Sequence, residues 1–155
     1  MTRFIAIFFA ISTLPRLCLA SHYELEQIDL VEPDILQRLL SMNIVTTEDL
    51  YNRTDTPKKR AKLEKSLGVR KEKILFWAEF CDLLRIEGIG PKVARVLLHC
   101  GIHGTKDLAK SDPQALLEKI IKANKEIEVL GKIPDIETVN HWISLAKSLQ
   151  KRKKP

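Results

Sequence analysis

The chain has 155 residues, a formal net charge of +6 and a pI near 9.3. This length suits one globular domain and excludes the small domains that need disulfides in place of a core. The composition, 45% hydrophobic and 30% charged, is that of an ordinary soluble protein. The excess of positive charge favours an anionic partner, and a basic surface that binds nothing in particular is the alternative.

Residues 1–20 have the pattern of a signal peptide. Arg3 precedes an uncharged apolar run over residues 4–14, and residues 18–20 place an alanine at the predicted cleavage site. The run is shorter than the ~20 apolar residues that span a bilayer, so we predict no membrane span in the mature chain. We expect an exported protein, periplasmic or secreted, if the segment is cleaved. An uncleaved anchor or a mis-assigned start codon is the alternative, and the protein is then cytoplasmic.

An internal repeat relates residues 25–50 to residues 83–108. A shift of 58 residues aligns the two segments without a gap, and nine of the 26 positions are identical. The aligned pair Asn43 and Gly101 joins two residue types that tolerate the left-handed conformation found at helix ends. The repeat predicts two copies of one supersecondary unit that pack together.

Apolar residues outside the repeat also recur at helical spacing. Thr56 and Asp112 each precede a proline, which is typical of a helix start, and Gly68 is typical of a helix end. We predict a helix from about residue 70 to residue 84 that is apolar on two sides and therefore the most buried. Its predicted inward residues are Ile74, Phe76, Trp77, Ala78, Phe80, Cys81, Leu83 and Leu84.

Two helices follow the repeat. One is predicted over residues 113–126 and the last begins at Pro134, while residues 151–155 are predicted to be a frayed basic tail. No alternating strand pattern is present, so the prediction is an all-α fold with residues 21–150 in one compact helical domain of tandem units. The predicted inward residues of the two helices are Leu116, Leu117, Ile120, Ile121, Ile136, Val139, Ile143, Ala146 and Leu149.

The second unit contains the most informative motif. Gly88 and Gly90 flank Ile89 between two helical patterns, and a proline opens the second helix. Such a turn leaves backbone N–H groups at a helix N-terminus, where anions bind. Contacts of this kind with a nucleic-acid backbone carry no base information and weaken with salt. We predict a phosphate site for DNA made by Gly88, Ile89, Gly90, Lys92 and Arg95.

The first unit lacks these features. Leu30 and Glu32 stand in place of the two glycines, and Asp34 replaces the lysine. The carboxylates would repel phosphate, and leucine does not easily adopt a backbone conformation that favours glycine. The first unit is therefore predicted to be structural. A second interpretation stays open for both units, in which the hairpins only pack helices or bind an unknown protein partner.

Other kinds of site have little support. The sequence contains no HExxH, GxSxG, P-loop or CxxC motif, so we predict a protein without catalytic activity or cofactor. His99, Cys100 and His103 are candidate metal ligands, but Gly101 ends a predicted helix between them, and we favour surface histidines over a four-ligand metal site. Cys81 and Cys100 are interpreted as small hydrophobes, with a disulfide in an oxidising compartment as the alternative.

Several short stretches carry a resemblance to known families. They are Tyr23-x-Leu25-x-x-Ile28, Arg60-x-x-Leu63-x-x-x-Leu67-Gly68-Val69, Ile74-Leu75-x-Trp77 and Asp82-Leu83-x-Arg85-Ile86-x-Gly88-Ile89-Gly90. On these stretches the tandem looks like the helix-hairpin-helix superfamily, and residues 22–149 resemble the domain-of-unknown-function 4332 family (DUF4332). The resemblance implies a two-unit helical fold and sequence-independent binding to DNA. Exported DNA receptors of competence systems carry a helix-hairpin-helix module, so export and DNA binding are compatible.

Overall fold

A computed structural model describes residues 22–152 of the protein, so the signal peptide predicted at residues 1–20 lies outside the described residues. Within residues 22–152 the chain forms eight α-helices, one turn of 3-10 helix at Leu25–Gln27 and a single isolated antiparallel bridge between Glu24 and Thr46. The predicted all-α fold is confirmed. The helices are α1 Pro33–Ser41, α2 Thr47–Asn52, α3 Pro57–Leu67, α4 Lys71–Leu83, α5 Pro91–His99, α6 Thr105–Leu108, α7 Pro113–Ile127 and α8 Ile136–Arg152.

The capping residues set the helix boundaries. The Thr56 hydroxyl accepts a hydrogen bond from the Lys59 N–H at 3.3 Å at the start of α3. The Asp112 carboxylate accepts one from the Ala115 N–H at 2.9 Å at the start of α7. Gly68 ends α3 in the left-handed region, with φ of 62°. The predicted boundaries at these three positions are confirmed, because each residue satisfies a backbone group that the helix leaves unpaired.

The last helix differs from its prediction at both ends. It begins at Ile136 rather than Pro134, since the Asp135 carboxylate accepts a hydrogen bond from the Thr138 N–H at 2.8 Å and so acts as a cap. It also continues through Arg152, so the tail predicted from residue 151 is wrong for its first two residues. Two basic side chains suit the negative C-terminal end of a helix. No helix among residues 22–152 is both long enough and apolar enough to cross a membrane.

The two repeat segments form the same turn after their proline-started helices. Asn43 and Gly101 both adopt the left-handed conformation, with φ of 56° and 80°, as the sequence predicted. Equivalent hydrogen bonds close the turns, at 3.0 Å from the Ile44 N–H to the Leu39 carbonyl and at 2.9 Å from the Ile102 N–H to the Leu97 carbonyl. The side chains of Leu39, Ile44, Leu97 and Ile102 are all buried. The two segments therefore share their side-chain packing as well as their backbone conformation.

The units differ where the chain enters them. The second unit is entered by α4, where the Asp82 carboxylate accepts hydrogen bonds from the Thr105 N–H at 2.7 Å and from its hydroxyl at 2.8 Å. The first unit is entered by an extended segment, where the Thr47 N–H donates to the Tyr23 carbonyl at 2.9 Å. The first unit thus begins with the 3-10 turn Leu25–Gln27, whereas the second begins at the end of α4.

Helix α4 packs against α2, α3 and α5 and supplies more buried side chains than any other helix among residues 22–152. Of its predicted inward residues, only Phe76 is wrong, because its ring packs 6.2 Å from that of Phe80 but remains 39% exposed above an open groove. Ile121 of α7 is also 37% exposed, since that helix turns Leu116 and Ile120 toward its neighbours.

Candidate functional site

The hairpin of the second unit is held by its own backbone and by α8. Gly88 is left-handed, with φ of 85°, and the Ile89 N–H donates to the Ile86 carbonyl at 3.0 Å. The Ile89 side chain is buried in the core. A Cβ at Gly88 would meet the Trp142 indole. Gly88 and Ile89, both predicted as phosphate-site residues, therefore shape the hairpin and are not among the residues that line the groove beside it.

Gly90 is the N-cap of α5, and no side chain caps that helix end. Its backbone is extended, with φ of −90°, and its carbonyl accepts the Ala94 N–H at 2.9 Å. An added Cβ would lie 3.4 Å from the Tyr23 hydroxyl. Neither the backbone conformation nor this contact, which is close to an ordinary van der Waals distance, therefore requires glycine at position 90. The uncapped N-terminus of α5 carries the positive end of the helix dipole.

Lys92 and Arg95 have different surroundings on α5. The Lys92 side chain is exposed and forms no ion pair within residues 22–152. The Arg95 side chain is half-buried, and its guanidinium donates a hydrogen bond to the backbone carbonyl of Asp29. Arg95 thus ties the second unit to the first, while its charge stays close to Lys92.

These residues line an open groove of about 700 Å³ between the two repeat units, which we call the hairpin groove. Gly90, Lys92 and Arg95 meet there, as predicted. The sequence did not indicate the wall from the first unit, nor Val129 from the loop before α8. The groove is lined by Gln27, Ile28, Asp29, Gly90, Pro91, Lys92, Val93, Arg95 and Val129.

The matching turn of the first unit has a different backbone and charge. Leu30 is not among the residues with positive φ, so this turn does not share the conformation of Gly88. The Glu32 carboxylate forms an ion pair with the Lys73 ammonium, and the hydrogen bond from Lys73 lowers the pKa of Glu32. Because Glu32 is already paired with a cation, the structural role predicted for the first unit fits its geometry.

The sequence of the chain matches that of one known protein family. The model for a domain of unknown function, DUF4332, matches residues 30–149. The chain belongs to the DUF4332 family. No curated protein and no solved structure matches it. The family match covers residues 30–50 of the first repeat unit of this DUF4332 chain, all of the second unit, and every α-helix except residues 150–152 of α8.

A second basic cluster of this DUF4332 chain, residues 58–60, does not join the hairpin groove. It lies at the start of α3, where the Lys59 ammonium pairs with the Asp55 carboxylate at 2.8 Å and the Arg60 guanidinium donates to the Thr54 carbonyl at 2.8 Å. None of the three basic residues lines the hairpin groove. The two positive regions are therefore separate surfaces.

The histidines considered as metal ligands pair with carboxylates instead. His99 Nε2 lies 2.9 Å from a Glu126 carboxylate oxygen, and His103 Nδ1 lies 3.0 Å from one of Glu79. The hydrogen bond with His99 lowers the pKa of Glu126. Within residues 22–152 no three histidine, cysteine or acidic side chains are grouped to hold a metal ion.

Both described cysteines have free thiols, with Cys81 buried and Cys100 half-buried. Burial raises the pKa of both thiols, so neither has the thiolate character of a reactive cysteine. The interpretation as hydrophobes fits Cys81 fully and Cys100 in part.

Proposed function

We propose that this chain binds the phosphate backbone of nucleic acid, without reading base sequence, at the hairpin groove. The observation that carries the proposal is the position of Lys92, which is exposed beside the uncapped N-terminus of α5 on an open groove. Backbone N–H groups and a cation at one place suit a phosphate oxygen. A groove leaves room for a long polyanion to pass.

The site predicts a weak interaction. Arg95 supplies a second positive charge, but Asp29 belongs to the same groove and its carboxylate opposes an anion. Of the two cations that line the groove, Lys92 is exposed and has no ion pair among the described residues, whereas Arg95 is half-buried and bonded to the Asp29 carbonyl. Few cationic contacts mean a low affinity and a shallow dependence on salt, because few contacts release few counterions from the nucleic acid.

The likeness to the helix-hairpin-helix superfamily supports the same proposal. The shared features are the Gly88-Ile89-Gly90 turn and the helix that follows it. We further propose that the protein is exported after loss of residues 1–20, and that it has no catalytic activity. The proposal of export follows from the sequence pattern of residues 1–20 alone.

A second candidate function has its own observation. Gly88 faces Trp142, and Ile89 is buried, so much of the hairpin serves to pack helices. A hairpin with only this role would leave the protein as a scaffold that binds another protein. The Lys92 side chain distinguishes the two candidates, since packing does not use it.

The test is fluorescence anisotropy of a labelled 20-base-pair duplex with the full chain at low and moderate salt. We expect binding at low salt that Lys92→Glu weakens about tenfold or more, because one phosphate contact becomes repulsive. Lys106→Glu is the matched control, since Lys106 is exposed and lies on α6, outside the hairpin groove. It changes the net charge by the same amount and is expected to have a small effect.

Two results would count against the proposal. Absence of binding at low salt leaves the scaffold function as the better account. Equal losses of affinity in Lys92→Glu and Lys106→Glu mean that net charge alone drives binding, with no contribution from the hairpin groove.

The absence of base recognition has its own test. Two DNA duplexes that differ only in sequence should bind with equal affinity.

A further inference from the structure

The net charge of the chain is concentrated in one short stretch. Residues 53–73 contain nine Lys or Arg and three Asp or Glu, which is a net charge of +6. The whole chain contains 26 Lys or Arg and 20 Asp or Glu, which is also a net charge of +6. The residues outside this stretch therefore contain 17 basic and 17 acidic side chains. The stretch covers the turn after α2, helix α3 and the start of α4.

The fold uses only some of these cations. The Arg60 guanidinium donates to the Thr54 carbonyl, the Lys59 ammonium pairs with Asp55, and Lys73 pairs with Glu32. Lys58, Lys62 and Lys65 are exposed on α3 and form no ion pair with any residue between 22 and 152. Their spacing of four and three residues places them along one side of the helix.

A groove of about 340 Å³ runs beside these lysines, between α3 and the C-terminal ends of α1 and α2. We call it the α3 groove. Its apolar part is Leu63, which is buried, and Met42, which is half-buried. Its cations are Arg53, Lys59 and Lys62. The remaining lining residues are Asn52 and Ser66.

The α3 groove is distinct from the hairpin groove. Met42 directly follows α1, whereas the first-unit wall of the hairpin groove, Gln27 to Asp29, precedes it. The nine residues of α1 separate the two by about 14 Å at 1.5 Å per residue. The two grooves share no residue, so a substitution in the lining of one does not replace a residue of the other.

We propose that the α3 groove binds an acidic peptide segment of a partner protein that carries one apolar side chain. The apolar side chain packs on Met42 and Leu63, and the flanking carboxylates face Arg53 and Lys62. Charge complementarity identifies the carboxylates, because the groove lies within the stretch that holds the net charge of the chain. The apolar floor distinguishes a peptide from a phosphate backbone, which has no apolar group to bury there. A methionine at the floor suits this role, since its flexible side chain adapts to different partners.

The test uses the full chain and a fluorescein-labelled peptide with four Asp or Glu residues on each side of a central Leu. We expect saturable binding at low salt, and an affinity about fivefold lower for the same peptide with a central Ser, since an apolar contact is lost. The double variant Arg53→Glu, Lys62→Glu should lower the affinity at least tenfold. The matched control Lys106→Glu, Lys147→Glu reverses two exposed lysines on α6 and α8 that line neither groove, and it should lower the affinity much less.

The proposal is independent of nucleic-acid binding, and the experiment separates the two. Lys92→Glu should bind the peptide as the wild type does, even if it loses the duplex. Equal affinity for the Leu and Ser peptides would overturn the proposal, because the groove floor would then contribute nothing. Displacement of the peptide by a 20-base-pair duplex, with loss of duplex binding in the Arg53→Glu, Lys62→Glu variant, would also overturn it and assign the α3 groove to nucleic acid. Circular dichroism of each variant confirms that the helices are retained.

Discussion

A Cβ atom at position 88 would lie 3.0 Å from the indole nitrogen of Trp142, because the hairpin backbone approaches that ring closely. Gly88 also has φ of 85°, a region that L-residues with side chains rarely occupy. The glycine is therefore required twice, by its own backbone and by its neighbour on α8. This contact links the second hairpin to the end of the domain.

Gly88→Ala should lower the free energy of unfolding by about 2–3 kcal/mol, from the left-handed backbone and the crowded contact together. Gly68→Ala is the matched control, since Gly68 also has positive φ but has nothing within 4 Å of an added Cβ. We expect about 1 kcal/mol there. Urea unfolding followed by circular dichroism measures both, and equal losses would contradict the role assigned to Trp142.

The elements that the sequence predicted well are those with a local cause. The Thr56 and Asp112 caps act on backbone groups three residues away, and such short-range hydrogen bonds can be recognised from the residue types. The left-handed turns at Asn43 and Gly101 were predictable because the aligned repeat showed the same position twice.

The elements that the sequence missed depend on contacts between distant parts of the chain. The bond from Arg95 to the Asp29 carbonyl joins residues 66 positions apart, and a backbone acceptor carries no residue-type signal. Tyr23, whose hydroxyl lies near Gly90, precedes the first repeat segment, so the alignment of the repeat does not indicate this contact. Helical spacing predicts that Phe76 is in the core, yet its side chain lies at an open groove and stays 39% exposed. Spacing identifies an apolar face but does not show whether another element covers it.

Asp82 is expected to contribute more to stability than the exposed helix cap Asp112. It accepts two hydrogen bonds from Thr105, which is buried, and it pairs with Arg85 at 2.8 Å. Asp82→Ala should cost about 2–3 kcal/mol, because buried donors lose a charged acceptor. Asp112→Ala, which removes a single exposed cap, should cost about 1 kcal/mol. Thermal unfolding of the two variants at pH 7 tests this order, and a smaller loss in Asp82→Ala would disprove it.

The ion pair between Glu32 and Lys73 should make a small, pH-dependent contribution to stability. The hydrogen bond from Lys73 lowers the pKa of Glu32 in the folded protein, so the folded state binds the proton less readily than the unfolded chain. The contribution is therefore present above the unfolded pKa and is lost as the pH falls through the lowered folded value. Because both side chains are partly exposed, we expect less than about 1 kcal/mol.

Glu32→Gln should therefore be less stable than the wild type at pH 7 and equally stable at a pH below the folded pKa of Glu32. Urea unfolding at a series of pH values measures the difference. Lys73→Met removes the partner and should show the same loss at pH 7. A difference between wild type and Glu32→Gln that persists at the acidic end would mean that the ion pair is not its source.

The two described cysteines should differ in reactivity. Cys81 is buried and its pKa is raised by burial, whereas Cys100 is half-buried. Iodoacetamide should therefore modify Cys100 slowly in the native protein and Cys81 only after unfolding in urea, because alkylation requires an accessible thiolate. Peptide mapping by mass spectrometry identifies the modified residue. Detection of a peptide pair linked through Cys81 and Cys100 in the non-reduced protein would instead support the disulfide alternative.

Arg95 and Lys92 lie three residues apart in the same groove but should differ in their effect on stability. The Arg95 guanidinium is half-buried and bonded to the Asp29 carbonyl, so Arg95→Gln removes a charged hydrogen bond that joins the two units. We expect a loss of about 1–2 kcal/mol. Lys92 is exposed and has no ion pair among residues 22–152. The free energy of unfolding of Lys92→Gln should therefore stay within about 0.5 kcal/mol of that of the wild type. Urea unfolding measures the stability of the two variants. The order of the two should reverse for binding to the DNA duplex, where Lys92→Gln should cause the larger loss of affinity, because only Lys92 is fully available to a phosphate.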